Sequence, residues 1–296
     1  MSPKIAALRL LLVSVIWGFS FPVVSVVAET VDPFLFVAVR FSLAALFVIP
    51  YFFRHINKET LIVGSVLGMI QLGIYITQII GLETVDPARA AFLTGIYVLL
   101  VPFVSPLLNM GRPSSHDVLS ALICCLGIFV LMECDIGQMS VGDLWIIGCA
   151  LLISLSIVYI GRNAKSTMDP LMLAYSQIIM TAAFSWIPVF LFAKLDFAPF
   201  FTLPLACSLG YCSLLANLFA LTWQAKSLRY VSLQNAALIF SLEPVFAALL
   251  DSVFGWTIPS MYTFVGGSII LSSIIYLELL RPKFQKTELS LQTGTA

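Results

Sequence analysis

Glu243 is the one carboxylate in the apolar stretch "ALIFSLEPVFAALL" (237–250), directly before Pro244. Arg40 stands in a similar way inside "VDPFLFVAVRFSLAALFVIP" (31–50). Charges in such runs are costly, face an interior and find partners, so Arg40 and Glu243 are candidates for an intramembrane charge pair, made directly or through water. The rival reading is that each satisfies backbone freed by a proline or a helix end, with no mutual contact. Alone, Glu243 can bind a substrate amine or exchange a proton, because low-dielectric surroundings favour a carboxylate's neutral form. Equally, it can hold the chain in shape around Pro244. Gln71, Tyr75 and Gln78 fall at i, i+4 and i+7, one stripe of a helix. Against lipid that stripe is unfavourable, so it lines a hydrated interior or ties helices together.

Other chemistry is missing from the sequence. There is no H-E-x-x-H, no Walker loop, no serine in a nucleophile elbow and no intramembrane pair of acids. The expectation is a protein that is not an enzyme and uses no metal or cofactor, with a membrane enzyme as a rival. Cys124, Cys125, Cys134, Cys149, Cys207 and Cys212 lie in or beside apolar runs without C-x-x-C spacing. They read as small buried hydrophobes. His55 and His116 sit in short polar connections without ligand-like neighbours, and nothing points to nucleic acid as a partner.

The elements that must position these residues follow from composition. The 296 residues are 60% hydrophobic and 10% charged, with a mean hydropathy of +1.04, whereas a soluble domain carries about a quarter charged residues. The chain reads as polytopic, with the lipid bilayer as its surroundings. Breaks at charged and Gly/Pro clusters predict ten spans: 8–28, 33–53, 60–82, 88–108, 117–133, 142–161, 170–193, 203–225, 230–250 and 257–279. The first run is long and followed by others, so it reads as a span rather than a cleaved signal peptide. With the N-terminus in the cytoplasm, Lys4, Arg9, Arg54, Lys58, Arg112, Arg162, Lys165, Lys226, Arg229, Arg281, Lys283 and Lys286 fall inside and only Arg89 and Lys194 outside. That bias supports the count and places both termini in the cytoplasm. Arg40 and Glu243 then lie about 10 and 12 Å from the outer ends of their spans, at 1.5 Å per residue. The tail 282–296 reads as disordered.

The chain also repeats itself. "VDPFLFVAVRFSLAALFVIP" and "MDPLMLAYSQIIMTAAFSWIP" (168–188) open on the same Asp-Pro pair and end on Pro. "ARAAFLTGIYVLLVPFVSPLLN" (88–109) aligns without a gap to "YVSLQNAALIFSLEPVFAALLD" (230–251), with Pro102 on Pro244. In these alignments the counterparts of Arg40 and Glu243 are Gln177 and Val101. Two matched pairs in one order predict two five-span repeats, 1–137 and 138–281, followed by a cytoplasmic tail, 282–296. Five is odd, so the halves are inverted, an all-α architecture of secondary transporters with a shared midplane cavity. A scaffold that moves nothing is the alternative, although short loops leave little surface for soluble partners.

The segments "IWGFSFPVV" (16–24), "VRFSLAALFVIP" (39–50), "GLETVDPARAAFLTGIYVLLVPFVSPLL" (81–108) and "SLEPVFAALL" (241–250) together resemble the drug/metabolite transporter superfamily, in particular its EamA-type ten-span members. The Gly-Glu pair frequent in that family after spans 4 and 9 is absent here, where "NMGRPSS" and "FGWTIPS" stand. The resemblance implies movement of small metabolites, amino acids and related compounds above all, across a bacterial inner membrane, through a pathway lined by spans 1, 3, 4, 6, 8 and 9. On those spans the candidate lining residues are Trp17, Gln71, Tyr75, Gln78, Thr94, Tyr97, Tyr159, Asn217, Gln234, Asn235 and Ser241, with Trp223 beside them; the alternative for Trp17 and, more so, for Trp223 near the inner end of its span is an interfacial belt residue. Pro22, Pro102, Pro106 and Pro244 are candidate hinges for alternating access, or fixed kinks. "GSVLG" (64–68) permits close helix packing. With few fixed charges, this lining suits neutral or zwitterionic solutes, driven by a proton gradient or a counter-substrate. The alternative is a larger nucleoside-type metabolite such as S-adenosylmethionine, stacked on Trp17 or Tyr75.

Overall fold

The structure is a computed structural model that describes residues 1–28, 30–85, 90, 93–131, 139–166, 168–253 and 260–293, with backbone alone at 21, 22, 24–28, 251–253 and 278–293. Among the described residues it is all helix. Seven helices are long and apolar enough to cross a membrane: α1 (Pro3–Ala28), α2 (Pro33–His55), α3 (Lys58–Leu82), α6 (Val141–Ala164), α7 (Pro170–Phe192), α8 (Leu203–Leu228) and α9 (Leu233–Leu250). Three are shorter: α4 (Leu93–Leu107), α5 (Ser115–Leu131) and the apolar part, Met261–Leu277, of α10 (Met261–Thr293). Predicted span 4 starts, and span 5 ends, at residues outside the described set, as do Arg89 and Cys134. Helix α10 runs on to Thr293 through the segment expected to be disordered. Its Lys, Glu, Leu and Gln residues are good helix formers, and they extend a helix already nucleated in the apolar part.

Local sequence explains where the helices begin. The carboxylate of Asp32 accepts from the Phe34 and Leu35 amides, and Asp169 from the Leu171 amide, each with Pro at the first helical position. The Asp-Pro pair of each half is thus one device, an N-cap followed by a residue that lacks the orphan N–H. Asn57 with Thr60, and Ser140 with Asp143, close reciprocal capping boxes on α3 and α6.

The main helix pairings keep their pattern when each helix is exchanged for the one five later. α3 packs on α6 as α8 packs on α1; α4 packs on α6 as α9 on α1; α3 packs on α7 as α8 on α2. The pairs α2–α7, α4–α9 and α5–α10 map onto themselves. Glycines set the closest approaches. A Cβ at Gly64 would stand 2.4 Å from that of Ser176, and one at Gly68 2.7 Å from that of Met180, so the G-x-x-x-G face of α3 lies directly on α7. On α5 and α10, a Cβ at Gly127 would meet the Gly266 carbonyl oxygen at 2.9 Å.

Three helices depart from regular α geometry around the centre of the bundle. α4 breaks at Ile96 and resumes at Tyr97. α9 breaks at Ser241–Leu242 and resumes at Glu243. α8 carries a π-helical stretch, Tyr211–Phe219, a form often found at functional positions.

Candidate substrate cavity

A cavity of ≈ 1000 Å³ lies between the two halves. It opens at the face that carries the α1–α2 connection, where Asp32, Pro33, Leu82, Glu83 and Phe192 line it. Toward the other face it ends on the Trp17 and Phe240 rings, whose centroids are 5.2 Å apart. Below them Ser14 Oγ donates to the Ile239 carbonyl at 3.0 Å, and the Arg9 guanidinium lies 5.3 Å from the Trp223 ring. Trp223 is therefore tied to α1, and its ring lies tilted against that of Phe219, with centroids 4.2 Å apart.

Nine of the sequence candidates line this cavity: Trp17, Arg40, Gln71, Tyr75, Gln78, Thr94, Tyr97, Asn217 and Glu243. Tyr159, Gln234, Asn235 and Ser241 do not. Gln234 is buried, with its amide 3.5 Å from the Val98 carbonyl, and Ser241 Oγ donates within its own helix to Ala237. Tyr159 packs against the main apolar core. Pro102 and Pro106 lie inside α4, and Pro244 lies in the first turn after the α9 break; Pro22 falls where only backbone is described.

The lining follows the repeat. Gln71, Tyr75 and Gln78 on α3 answer to Asn217, Leu221 and Gln224 on α8, and Thr94 and Tyr97 on α4 answer to Phe240 and Glu243 on α9, all at one constant offset. The same offset superposes the helix breaks. The ungapped alignment through Pro102 and Pro244 is displaced from it by about one helical turn, so the counterpart of Glu243 is Tyr97, not Val101. The match of "GLETVDPARAAF" (81–92) to "SLRYVSLQNAAL" (227–238) carries this offset in the sequence. Sequence reasoning also missed Gln224, which becomes visible as a lining residue only when the α3 stripe is carried across the repeat, and Ser156 on α6. Phe36, Phe41 and Pro188 were missed because α2 and α7 were not counted among the lining spans.

The two charges share the cavity without forming an ion pair. Arg40 Nη2 donates to the Tyr75 hydroxyl, and the guanidinium sits 4.6, 5.3 and 5.8 Å from the rings of Tyr75, Phe41 and Phe36. An aromatic box with one hydroxyl acceptor thus holds the cation. Its Nε and the Asn217 Nδ2 are buried without an acceptor. Gln71 is fixed from the opposite half, accepting from Gln177 Nε2 at 3.0 Å. Trp17 Nε1 donates to the Ala216 carbonyl at 2.9 Å, and the Tyr211 hydroxyl donates to the Ile16 carbonyl at 2.7 Å, so the π stretch is pinned to α1. Glu243 opens the second piece of α9, at the electropositive end of a helix. Its backbone rests on α1 at Gly18, where an added Cβ would stand 2.8 Å from the Glu243 carbonyl oxygen.

Comparison with known proteins settles what such a bundle is. The model of the EamA-like transporter family matches the chain twice, over residues 4–133 and 140–279. The chain belongs to the EamA-like transporter family. This transporter is 31% identical over 283 residues to an "Uncharacterized transporter" of Archaeoglobus fulgidus, covering 93% of this chain and 86% of that protein. A solved protein crystal structure that is 21% identical shares the fold, with a TM-score of 0.78 over 94% of this chain and 99% of its own. Membership places this EamA-like transporter in the drug/metabolite transporter superfamily, as a multi-pass membrane protein.

Proposed function

We propose that the transporter moves small metabolites, amino acids and related compounds above all, by alternating access of the cavity between the halves 1–137 and 138–281. We place it in the plasma membrane, the inner membrane of a bacterium, with both termini and the 282–296 tail in the cytoplasm, so that the cavity faces outward. One observation carries the reading: two unpaired, oppositely charged side chains, Arg40 and Glu243, line one cavity at the centre of a duplicated bundle. Glu243 is then the group that binds a substrate amine or takes up the coupling proton. Closing the cavity empty would take both charges further from water, at a cost of several kcal/mol per ion. A bound solute, or a proton on Glu243, removes that cost, which favours exchange or proton coupling over free return of the empty carrier.

A second reading rests on size. A volume of ≈ 1000 Å³ stands at the upper end of the usual range for ligand pockets, about 300–1,000 Å³, and Trp17, Tyr75 and Phe240 offer flat faces. A nucleoside-type solute fits it as well as an amino acid does. Uptake of labelled amino acids and nucleoside-type metabolites into proteoliposomes, empty or preloaded, with and without a pH gradient, tests both. Saturable uptake that preloading or the gradient accelerates in wild type but not in Glu243→Gln is the expected result. No uptake of either class would leave a scaffold.

A further inference from the structure

The second half carries an addition that the repeat does not require. The offset between halves is 137 from Arg40 to Gln177 and 146 from Gln71 to Asn217, so nine residues enter between α7 and α8. In the first half, α2 turns into α3 through Ile56 and Asn57 alone, flanked by Arg54, His55 and Lys58. Residues 193–202, "AKLDFAPFFT", join α7 to α8 instead, on the side of the cavity mouth that Phe192 lines. With 23 residues, α7 is about 34 Å long and already crosses a hydrocarbon core of about 30 Å. The connection therefore lies at headgroup depth, yet Leu195, Phe197 and Phe201 are exposed, Phe201 to 88%. They continue the exposed Ile187, Phe190 and Leu191 at the end of α7, a face that already meets lipid. The backbone of the connection is satisfied locally. The amides of Asp196, Ala198, Phe200 and Thr202 donate to the Lys194 carbonyl, the Asp196 carboxylate, the Phe197 carbonyl and the Pro199 carbonyl at 3.1, 3.0, 3.2 and 3.0 Å. Irregular backbone next to hydrocarbon needs such partners. Phe200 points the other way. It is 8% exposed among Val31, Leu35 and Leu205, and its ring stacks on that of Phe36, with centroids 6.5 Å apart and planes 7° apart. Phe36 is one of the three rings around Arg40.

We propose that 193–202 is an interfacial anchor, a surface that binds phospholipid at the edge of the leaflet beside the cavity mouth. Leu195, Phe197 and Phe201 enter the acyl chains, Lys194 and Asp196 stay among the headgroups, and Phe200 clamps the segment to Phe36. Apolar sides of interfacial elements sink about 5–10 Å into the boundary between headgroups and chains. One cation and one anion leave the segment without net charge, so its partner is the apolar boundary itself and not an anionic headgroup. The anchor fixes the ends of α7 and α8 at one depth and backs the Phe36 wall of the cavity. It does so whichever solute the cavity carries.

The test uses the full-length protein with its native cysteines replaced and Phe201→Cys labelled with a fluorophore, in phosphatidylcholine vesicles at a high ratio of lipid to protein. Quenchers are lipids that carry a nitroxide near the headgroup or near the chain end, and iodide present on both sides of the membrane. The label should be quenched more by the shallow nitroxide than by the deep one and only weakly by iodide, and adding anionic lipid should change neither result. Arg112→Cys, in the polar connection between α4 and α5, is the control, open to iodide and not to the lipid quenchers. With the label moved to Leu195→Cys, the further substitution Phe201→Asp should raise iodide quenching and lower lipid quenching. Because Phe201 is exposed, thermal unfolding in detergent should be unchanged by it. Iodide quenching at position 201 equal to that at 112 overturns the anchor and leaves a solvated loop. Protection from iodide and nitroxide lipids alike, growing with protein density, overturns it in favour of a second copy of the chain. Lipid quenching that needs anionic headgroups overturns the apolar contact.

Discussion

Removing one oxygen tests why Arg40 and Glu243 stand apart. In Tyr75→Phe the ring remains, with the guanidinium 4.6 Å from its centroid, so the cation–π contact is kept. What is lost is the hydroxyl that accepts from Arg40 Nη2. Hydrogen bonds to charged groups contribute about 1.5–3 kcal/mol, and because Arg40 lines a cavity that water can reach, the cost should fall near 1.5 kcal/mol. In an Arg40→Met background the same substitution has no cation to strand, and it should cost less than about 0.5 kcal/mol. The difference is a coupling energy of about 1–2 kcal/mol between two side chains on α2 and α3. Reversible unfolding in mixed detergent micelles, followed by tryptophan fluorescence, measures all four proteins of the cycle. Equal costs of Tyr75→Phe in both backgrounds would refute the assignment of Tyr75 as the acceptor for Arg40.

Gly18→Ala and Gly127→Ala should each destabilise by about 1–3 kcal/mol, the usual cost of overpacking, because the added Cβ meets backbone atoms at 2.8 and 2.9 Å. Gly148→Ala, whose nearest neighbour is Thr77 Cγ2 at 4.0 Å, is the control and should stay within about 0.5 kcal/mol in the same unfolding assay. Of these, only Gly18→Ala should also weaken solute binding, since it displaces Glu243. Asp32→Ala should lose about 0.5–2 kcal/mol with the N-cap of α2, and Asp32→Asn should recover most of it.

Much of the scaffold was legible because single residues dictate it. The repeated Asp-Pro pair announced two helix starts, "GSVLG" announced a close helix contact, and the i, i+4, i+7 spacing brought Gln71, Tyr75 and Gln78 to one cavity wall. Arg40 and Glu243 stood out because a charge in an apolar run needs a polar interior. What the chain did not reveal depends on tertiary partners. The acceptor of Arg40 is a hydroxyl on another helix, and hydropathy carries no signal for such a match. The breaks at Ile96 and Ser241–Leu242 have no glycine or proline at the break itself, and the π stretch 211–219 reads as ordinary apolar helix. The repeat offset was misplaced by one turn because the prolines at 102 and 244 align well yet occupy different places relative to the breaks.

Alternating access of one cavity is the central claim, and a single cysteine tests it most directly. Gln78 lines the cavity, and among the described residues its amide has no partner. In a background with the native cysteines replaced, Gln78→Cys is exposed to a membrane-impermeant thiol reagent added to one face of sealed, oriented vesicles and then, in a separate sample, to the other. The account predicts fast labelling from the face of the α1–α2 connection, slower labelling from the opposite face, and protection from both when a transported solute is present. Labelling confined to one face, unchanged by any solute that the protein carries, would contradict it.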